Sequence, residues 1–207
     1  MLVLGAIFLS AVVIIAYYWF RASSSNPVAT STPTVNSGQT TPKPPRRERS
    51  IVNYSKLQEY LQKKNWRAAD IETYERLLEA AGPTAMAYGQ IPKFEMDTLS
   101  CADFRTVDAL WSKASDGKFG FTAQQQILKT QGIWQKMYNE LGWRTLSGEW
   151  LIQWKTNLRP SGVYRLDYKP GKEPNYTDNA PIGHFPTVQR GYKFEFSMND
   201  ALRDCGF

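Results

Sequence analysis

Asp103 and Asp108 lie five residues apart in a helical stretch, so their carboxylates do not share a face. Asp103 is explained as a helix cap, and no base or nucleophile converges on either residue, so acid–base or covalent catalysis has no constellation to work with. His184 is the sole histidine. It could be an axial ligand to a metal centre, but Gly183 and Pro186 read as a turn that fixes the imidazole for structural hydrogen bonding. Cys101 and Cys205 are 104 residues apart, and with one histidine they cannot make a zinc site of the usual local spacing. For a domain facing the cytoplasm they are expected to be buried thiols rather than a disulfide. No catalytic residue and no metal site is assigned.

Aromatic side chains remain as the chemically informative groups. Phe119 and Phe121 flank Gly120 at a turn between two helices, and six of the seven tryptophans fall after residue 50. Such rings either fill a core or wall a site for a flat apolar ligand, with a few charges at its rim.

The elements that must carry these rings read as helices. Ser55 with Gln58 forms a capping-box pattern ahead of Leu57, Tyr60 and Leu61, and a second helix runs near Ala68–Ala81 with Ile71, Tyr74, Leu77 and Leu78 on one face. Gly82-Pro83 ends it, and Pro92 interrupts the less regular 83–100. Ser100 with Asp103 opens a helix striped by Phe104, Val107, Leu110 and Trp111, and Thr122 with Gln125 caps the next, which ends at Gly132. Another carries Ile133, Trp134, Met137, Tyr138 and Leu141 to Gly142. Trp150 and Trp154, four apart, suit one helical face or an irregular turn. Gly162–Tyr168 hints at a weak extended pair, 169–181 is a long loop, and Ser197 with Asp200 caps a terminal helix.

Before this domain the composition changes twice. Leu2–Phe20 has no charge over 19 residues and closes on Tyr17, Tyr18, Trp19 and Phe20, the pattern of a single membrane-spanning helix with interfacial aromatics. No basic residue precedes it, and no small-residue cleavage site follows, so a retained anchor over 1–21 is expected rather than a signal peptide. Arg21, Lys43, Arg46, Arg47 and Arg49 follow the span, which places the carboxy-terminal domain in the cytoplasm. Thylakoid and plasma membranes are both open.

Residues 22–50 read as a Ser/Thr/Pro-rich, basic, disordered linker with a span of about 30 Å. The segment 21–50 supplies +4 of the net charge of +6, leaving 51–207 nearly balanced. The basic excess therefore suits anionic lipid headgroups and not nucleic acid.

Residues 54–207 resemble the genomes-uncoupled porphyrin-binding domain family. The resemblance rests on Leu57-x-x-x-Leu61, Trp66-x-Ala68-Ala69-Asp70-x-Glu72-Thr73 and Asp103-Phe104-x-Thr106-x-Asp108-x-Leu110-Trp111. It continues through Ser115-x-Gly117-x-Phe119-Gly120-Phe121-x-x-Gln124, Leu141-Gly142-Trp143, Ala180-Pro181-x-Gly183-His184-Phe185-Pro186 and Arg190-Gly191. Ser100 replaces the family's usual proline, Phe104 its leucine and Lys193 its frequent arginine, and the 160–190 loop is longer.

The resemblance implies an all-α domain over 51–207, shaped like a cupped hand, that binds protoporphyrin IX or magnesium protoporphyrin IX. It also implies that the domain stimulates magnesium chelatase through the large subunit, in chlorophyll biosynthesis, without being an enzyme. The implied porphyrin contacts are Met96, Leu99, Val107, Trp111, Phe121 and Trp154, with Arg190 and Lys193 near the carboxylates. Two other readings remain at this point. One is a protein-interaction or sensor module on the same fold; the other is an extracytoplasmic carbohydrate-active enzyme whose tryptophans stack on sugars, which lacks a carboxylate pair.

Overall fold

Ser55–Gln62 (α1) buries Leu57 and Leu61 on one side. Asn65 then starts Trp66–Ala81 (α2), its side-chain oxygen accepting the Ala68 N–H at 3.2 Å. The computed structural model describes residues 45–47, 52–189 and 195–207. The expected anchor at 2–20, most of the linker, and both Arg190 and Lys193 lie outside the described residues. Among those described, no helix is long and apolar enough to cross a membrane.

Gly82 ends α2, and Pro83 opens Pro83–Tyr88 (α3), where its missing N–H costs nothing. Pro92 precedes the single turn Lys93–Met96 (α4). Ser100 caps Cys101–Ala114 (α5) by accepting from the Ala102 N–H at 3.0 Å, and Phe121–Gln131 (α6) and Trp134–Glu140 (α7) follow. A short 3-10 turn at Thr187–Gln189 and the terminal helix Glu195–Asp204 (α8) complete the helical set.

Three caps differ from their sequence patterns, Ser197 among them, since it lies inside α8. Ser55 lies inside the first turn of α1, and its N–H donates to Asn53 Oδ1 at 2.9 Å. At α6 the cap comes from another helix: Asp108 accepts from the Thr122 N–H at 2.8 Å and from its hydroxyl at 2.6 Å. Asp108 therefore neutralises the positive end of α6, a role invisible to a pattern that looks only at adjacent residues. It also explains Gly120, since a Cβ there would lie 2.6 Å from Asp108 Oδ1.

Trp154 is not helical. Trp154–Leu158 (β1) pairs antiparallel with Tyr164–Tyr168 (β2), in the register Trp154 opposite Tyr168 and Leu158 opposite Tyr164. The weak extended pair is thus a hairpin, added to an otherwise helical fold. It is seated by close backbone approach, because a Cβ on Gly89, at φ +60°, would meet the Tyr164 carbonyl oxygen at 2.3 Å.

Two apolar clusters form the interior. The larger gathers Leu57, Leu77, Leu78, Phe104, Trp111, Phe119 and Phe185 with Met198 and Leu202 of α8. The smaller gathers Met137, Tyr138, Leu141, Trp143, Ile152 and Tyr168, and Tyr176 packs against both.

The cysteines correct the sequence reading: Cys101 and Cys205 form a disulfide joining the start of α5 to the residue after α8. Sequence distance misled here, because the helices return the chain ends to one another and bring the two Cα atoms to 5.3 Å. Arg46 and Arg47, read as part of the basic linker, also dock on this unit. Arg46 donates to the Met96 and Leu99 carbonyls at 2.9 Å each, and Arg47 donates through its guanidinium to the Ala81 carbonyl.

Asp70 connects the two clusters. Its buried carboxylate accepts from Tyr168 Oη at 2.5 Å, Thr187 Oγ1 at 2.5 Å and the Thr187 N–H at 2.7 Å. Replacing it strands the Thr187 N–H away from water and leaves the Tyr168 and Thr187 hydroxyls, 2.6 Å apart, only each other as partners. Asp70→Ala is expected to lower unfolding free energy by about 3 kcal/mol or more, measured as an earlier midpoint in urea with an unchanged slope.

Candidate functional site

The wall of the candidate site begins with a directly opposed strand pair. Trp154 and Tyr168 stack with centroids 4.2 Å apart at 24°, an arrangement the antiparallel register imposes on facing residues. Tyr74 of α2 extends this wall, 5.8 Å from Trp154. Its hydroxyl is used up on the Gly89 carbonyl, so the ring presents its apolar face.

Between α2 and the hairpin lies an open groove of about 390 Å³, lined by Ile71, Tyr74, Trp154 and Tyr168, by the cations Arg67, Lys155 and Arg159 and by the carboxylates Glu75, Asp167 and Glu173. The volume falls within the range of about 300–1,000 Å³ common for small-molecule sites. Ile71 is 41% exposed there, an apolar side chain presented to solvent on the groove's floor. Arg67 and Lys155 stand exposed at the rim with no carboxylate partner among the described residues, whereas Arg159 pairs with Asp167 at 2.6 Å. The rim can therefore offer Arg67 and Lys155 to an anionic ligand without first breaking an ion pair, with the exposed Glu173 carboxylate in the same lining opposing it.

The groove is braced from behind. Arg165 on β2 pairs with Glu75 of α2 at 3.0 Å and donates to the Met86 carbonyl at 2.8 Å. Asp70 holds Tyr168 by its hydroxyl. These contacts set the separation between helix and hairpin, so the ring wall is preformed.

The residues implied by resemblance separate into two places. Met96, Leu99, Val107, Trp111 and Phe121 are together, but each is fully enclosed in the larger cluster. Trp111 also donates its indole N–H to Thr73 Oγ1 at 2.9 Å and stacks on Phe185. Trp154 alone reaches the groove, from the smaller cluster. Tyr74, Tyr168, Ile71 and Arg67 were missed as a site. The helical face carrying Ile71 and Tyr74 was visible in sequence, but the strand that completes the wall was not.

His184 is structural in this geometry. It is buried, Nδ1 lies 2.6 Å from the Leu141 carbonyl and Nε2 accepts the Asn175 N–H at 3.1 Å, so both ring nitrogens are committed. Among the described residues no group of three His, Cys, Asp or Glu side chains could hold a metal ion. Asp103 accepts from Tyr54 Oη at 2.8 Å inside the core, far from acid–base work.

A GUN4-like family model matches residues 47–199. The chain belongs to that family. It is similar to the tetrapyrrole-binding protein, chloroplastic, of Arabidopsis thaliana, at 30% identity over 131 residues, covering 63% of this chain and 46% of that protein. A Ycf53-like protein of Synechocystis sp. is 29% identical over 140 residues, covering 67% and 52% of the two chains. The chain thus spans about half the length of these relatives.

Among solved structures, GUN4 from Chlamydomonas reinhardtii matches with a TM-score of 0.55 at 26% identity, over 74% of this chain and 92% of that one. The ligand-free Arabidopsis thaliana GUN4 matches with a TM-score of 0.52 at 26% identity, over 70% and 92%. The mostly helical fold expected from the sequence is the fold of this family.

Tyr74 gives the groove a pH signature. Burial holds its phenol well above the ordinary tyrosine range; the Glu75 carboxylate adds to the shift and Arg165 opposes it. The unfolded chain ionises near its ordinary value of about 10 while the folded chain keeps the proton, so stability falls as pH rises through that value. The loss approaches about 1.4 kcal/mol per pH unit for this one group. The difference in stability between wild type and Tyr74→Phe should therefore shrink as pH rises above about 10, measured by denaturant titration across that range.

Proposed function

We propose that this chain is a membrane-tethered, non-enzymatic regulator that binds a tetrapyrrole, protoporphyrin IX or magnesium protoporphyrin IX, in the groove walled by Tyr74, Trp154 and Tyr168. The observation that carries the reading is a preformed aromatic cluster of Tyr74, Trp154 and Tyr168 beside two cations with no carboxylate partner among the described residues, in a family that includes a tetrapyrrole-binding protein. A macrocycle with two propionates has matching chemistry: a large apolar face to lie against the rings and carboxylates for Arg67 and Lys155. Arg190 and Lys193 would add cations from the following segment.

Met96, Leu99, Val107, Trp111 and Phe121 belong to this reading differently. In the closed state they are packing, and they become ligand contacts only when the larger cluster opens. Stimulation of magnesium chelatase through the large subunit, in chlorophyll biosynthesis, is the downstream role we propose. The apolar stretch 2–20 anchors the domain on the cytoplasmic face of a thylakoid or plasma membrane, where the linker lets it search for that partner.

Titrating protoporphyrin IX into the full chain should give a saturable shift of the Soret band together with tryptophan quenching. Trp154→Ala should weaken binding by about tenfold, the loss of one stacking face of about 1–1.5 kcal/mol. Lys155→Gln combined with Arg67→Gln should weaken it further and reduce its dependence on salt. Absence of a saturable signal in wild type would sink the tetrapyrrole reading; unchanged affinity in Trp154→Ala would move the site elsewhere.

A further inference from the structure

The Cys101–Cys205 bond lies at the wall of a second cavity, of about 290 Å³ and open to solvent, lined by Cys205, Arg105, Lys129, Thr122, Gln125 and Phe207. Arg105 is fixed at this residue because its guanidinium donates to the Cys205 carbonyl at 3.1 Å. The cavity brings an incoming thiolate, and the cations Arg105 and Lys129, up to Cys205, which is 5% exposed. The other sulfur is suited to leave, since Cys101 is the first residue of the 14-residue helix α5 and its thiolate would sit at the positive end of that helix. Access on one side and a good leaving group on the other are the two requirements of thiol–disulfide exchange.

The bond also holds something in place. It follows α8, whose Met198, Ala201 and Leu202 are buried in the larger cluster and which packs on α4, the turn ending at Met96. Phe207, just beyond, contacts the Phe121 ring at 6.2 Å. Side-chain ties of this end among the described residues include Gln125 to Asn199 at 2.9 Å, Arg46 to Asp204 at 3.4 Å and Arg105 to the Cys205 carbonyl at 3.1 Å. The covalent tie thus secures the cover over Met96, Leu99 and Phe121.

We propose that Cys101–Cys205 is a dithiol-exchange site whose reduction unlatches α8 and gives a tetrapyrrole access to the buried wall around Met96, Leu99 and Phe121. The proposal rests on the tetrapyrrole reading above. In the first step a thiolate of the dithiol bonds to Cys205 Sγ, the Cys101–Cys205 bond breaks and Cys101 leaves as a thiolate. The second thiol of the reagent then displaces Cys205, closing its own disulfide. Two electrons pass from the dithiol to the protein, and its two protons end on the cysteines. Disulfides on the cytoplasmic side of a membrane are characteristically transient or redox-sensing, which suits such a site.

The test compares the full chain oxidised, reduced with dithiothreitol, and reoxidised. Reduction should release two thiols and speed amide exchange across 198–205 by about 100-fold, as for local opening of a terminal element. It should tighten protoporphyrin IX binding by about tenfold, since apparent affinity scales with the fraction of open protein. Arg105→Gln should slow the release of thiols several-fold, and an unchanged rate would overturn the role given to the cavity.

The Cys101→Ser, Cys205→Ser variant should match the reduced protein; if it fails to fold, the oxidised and reduced wild type carry the comparison. Unchanged amide exchange on reduction would overturn the latch. Faster exchange with equal porphyrin affinity in both forms would overturn its link to the ligand and leave the tetrapyrrole reading standing. Absence of porphyrin binding in either form would overturn that reading and the link together, while amide exchange would still decide the latch.

Discussion

A single buried carboxylate, Asp70, holds the site to the scaffold. Taking an ionised group out of water is costly unless several donors replace its hydration, and here two hydroxyls and a backbone N–H do so. The contact joins three parts of the chain: α2 supplies the accepting carboxylate, and β2 and the 187–189 turn supply the tyrosine and threonine donors. Remove the carboxylate and the hairpin loses its register with α2, and with it the alignment of Tyr168 against Trp154. The aromatic wall depends on a polar contact that the ligand never touches.

The helices were legible because their apolar positions recur at helical spacing and their ends carry glycine or proline. The stretch from Trp66 to Ala81 is the clearest instance, and α5 keeps its Ser100 cap. What was not legible were contacts between residues distant in sequence. The Asp108 cap on α6 spans fourteen residues and crosses a turn, so a local box motif pointed to Thr122 with Gln125 instead. The hairpin was faint because β1 is five residues long and Thr156 breaks the apolar set at its centre, leaving Trp154, opposite Tyr168, and Leu158 to mark the alternation. The cysteines failed for the same reason: 104 residues of intervening chain say nothing about where two helices meet.

The candidate site was half legible, and its division has a physical cause. Periodicity marks a residue as apolar and inward-facing, but it cannot say whether the inward space holds another side chain or a ligand. Phe119 and Phe121 look equivalent around Gly120, and both are enclosed. Phe119 meets Trp66, Trp111 and Phe185, while Phe121 meets Phe104 and Phe207 at the end of the chain. The first ring is locked between two helices and the loop that carries Phe185. The second faces a terminal element, which is the kind of neighbour that can move.

Tryptophan content divides along similar lines. Trp66, Trp111 and Trp143 direct their indole N–H groups to Asp178, Thr73 and the His184 carbonyl, at 2.7, 2.9 and 3.0 Å. A ring fixed by such a bond within a packed cluster orients the scaffold and is spent on structure. Trp154 is placed by stacking on a neighbour and by its strand, with part of its surface turned to an open groove between helix and hairpin. Stacking fixes the plane of a ring while leaving its other face usable, which is the condition for reading a flat ligand. The unusual aromatic load therefore serves two purposes, and the N–H bonds indicate which rings belong to which.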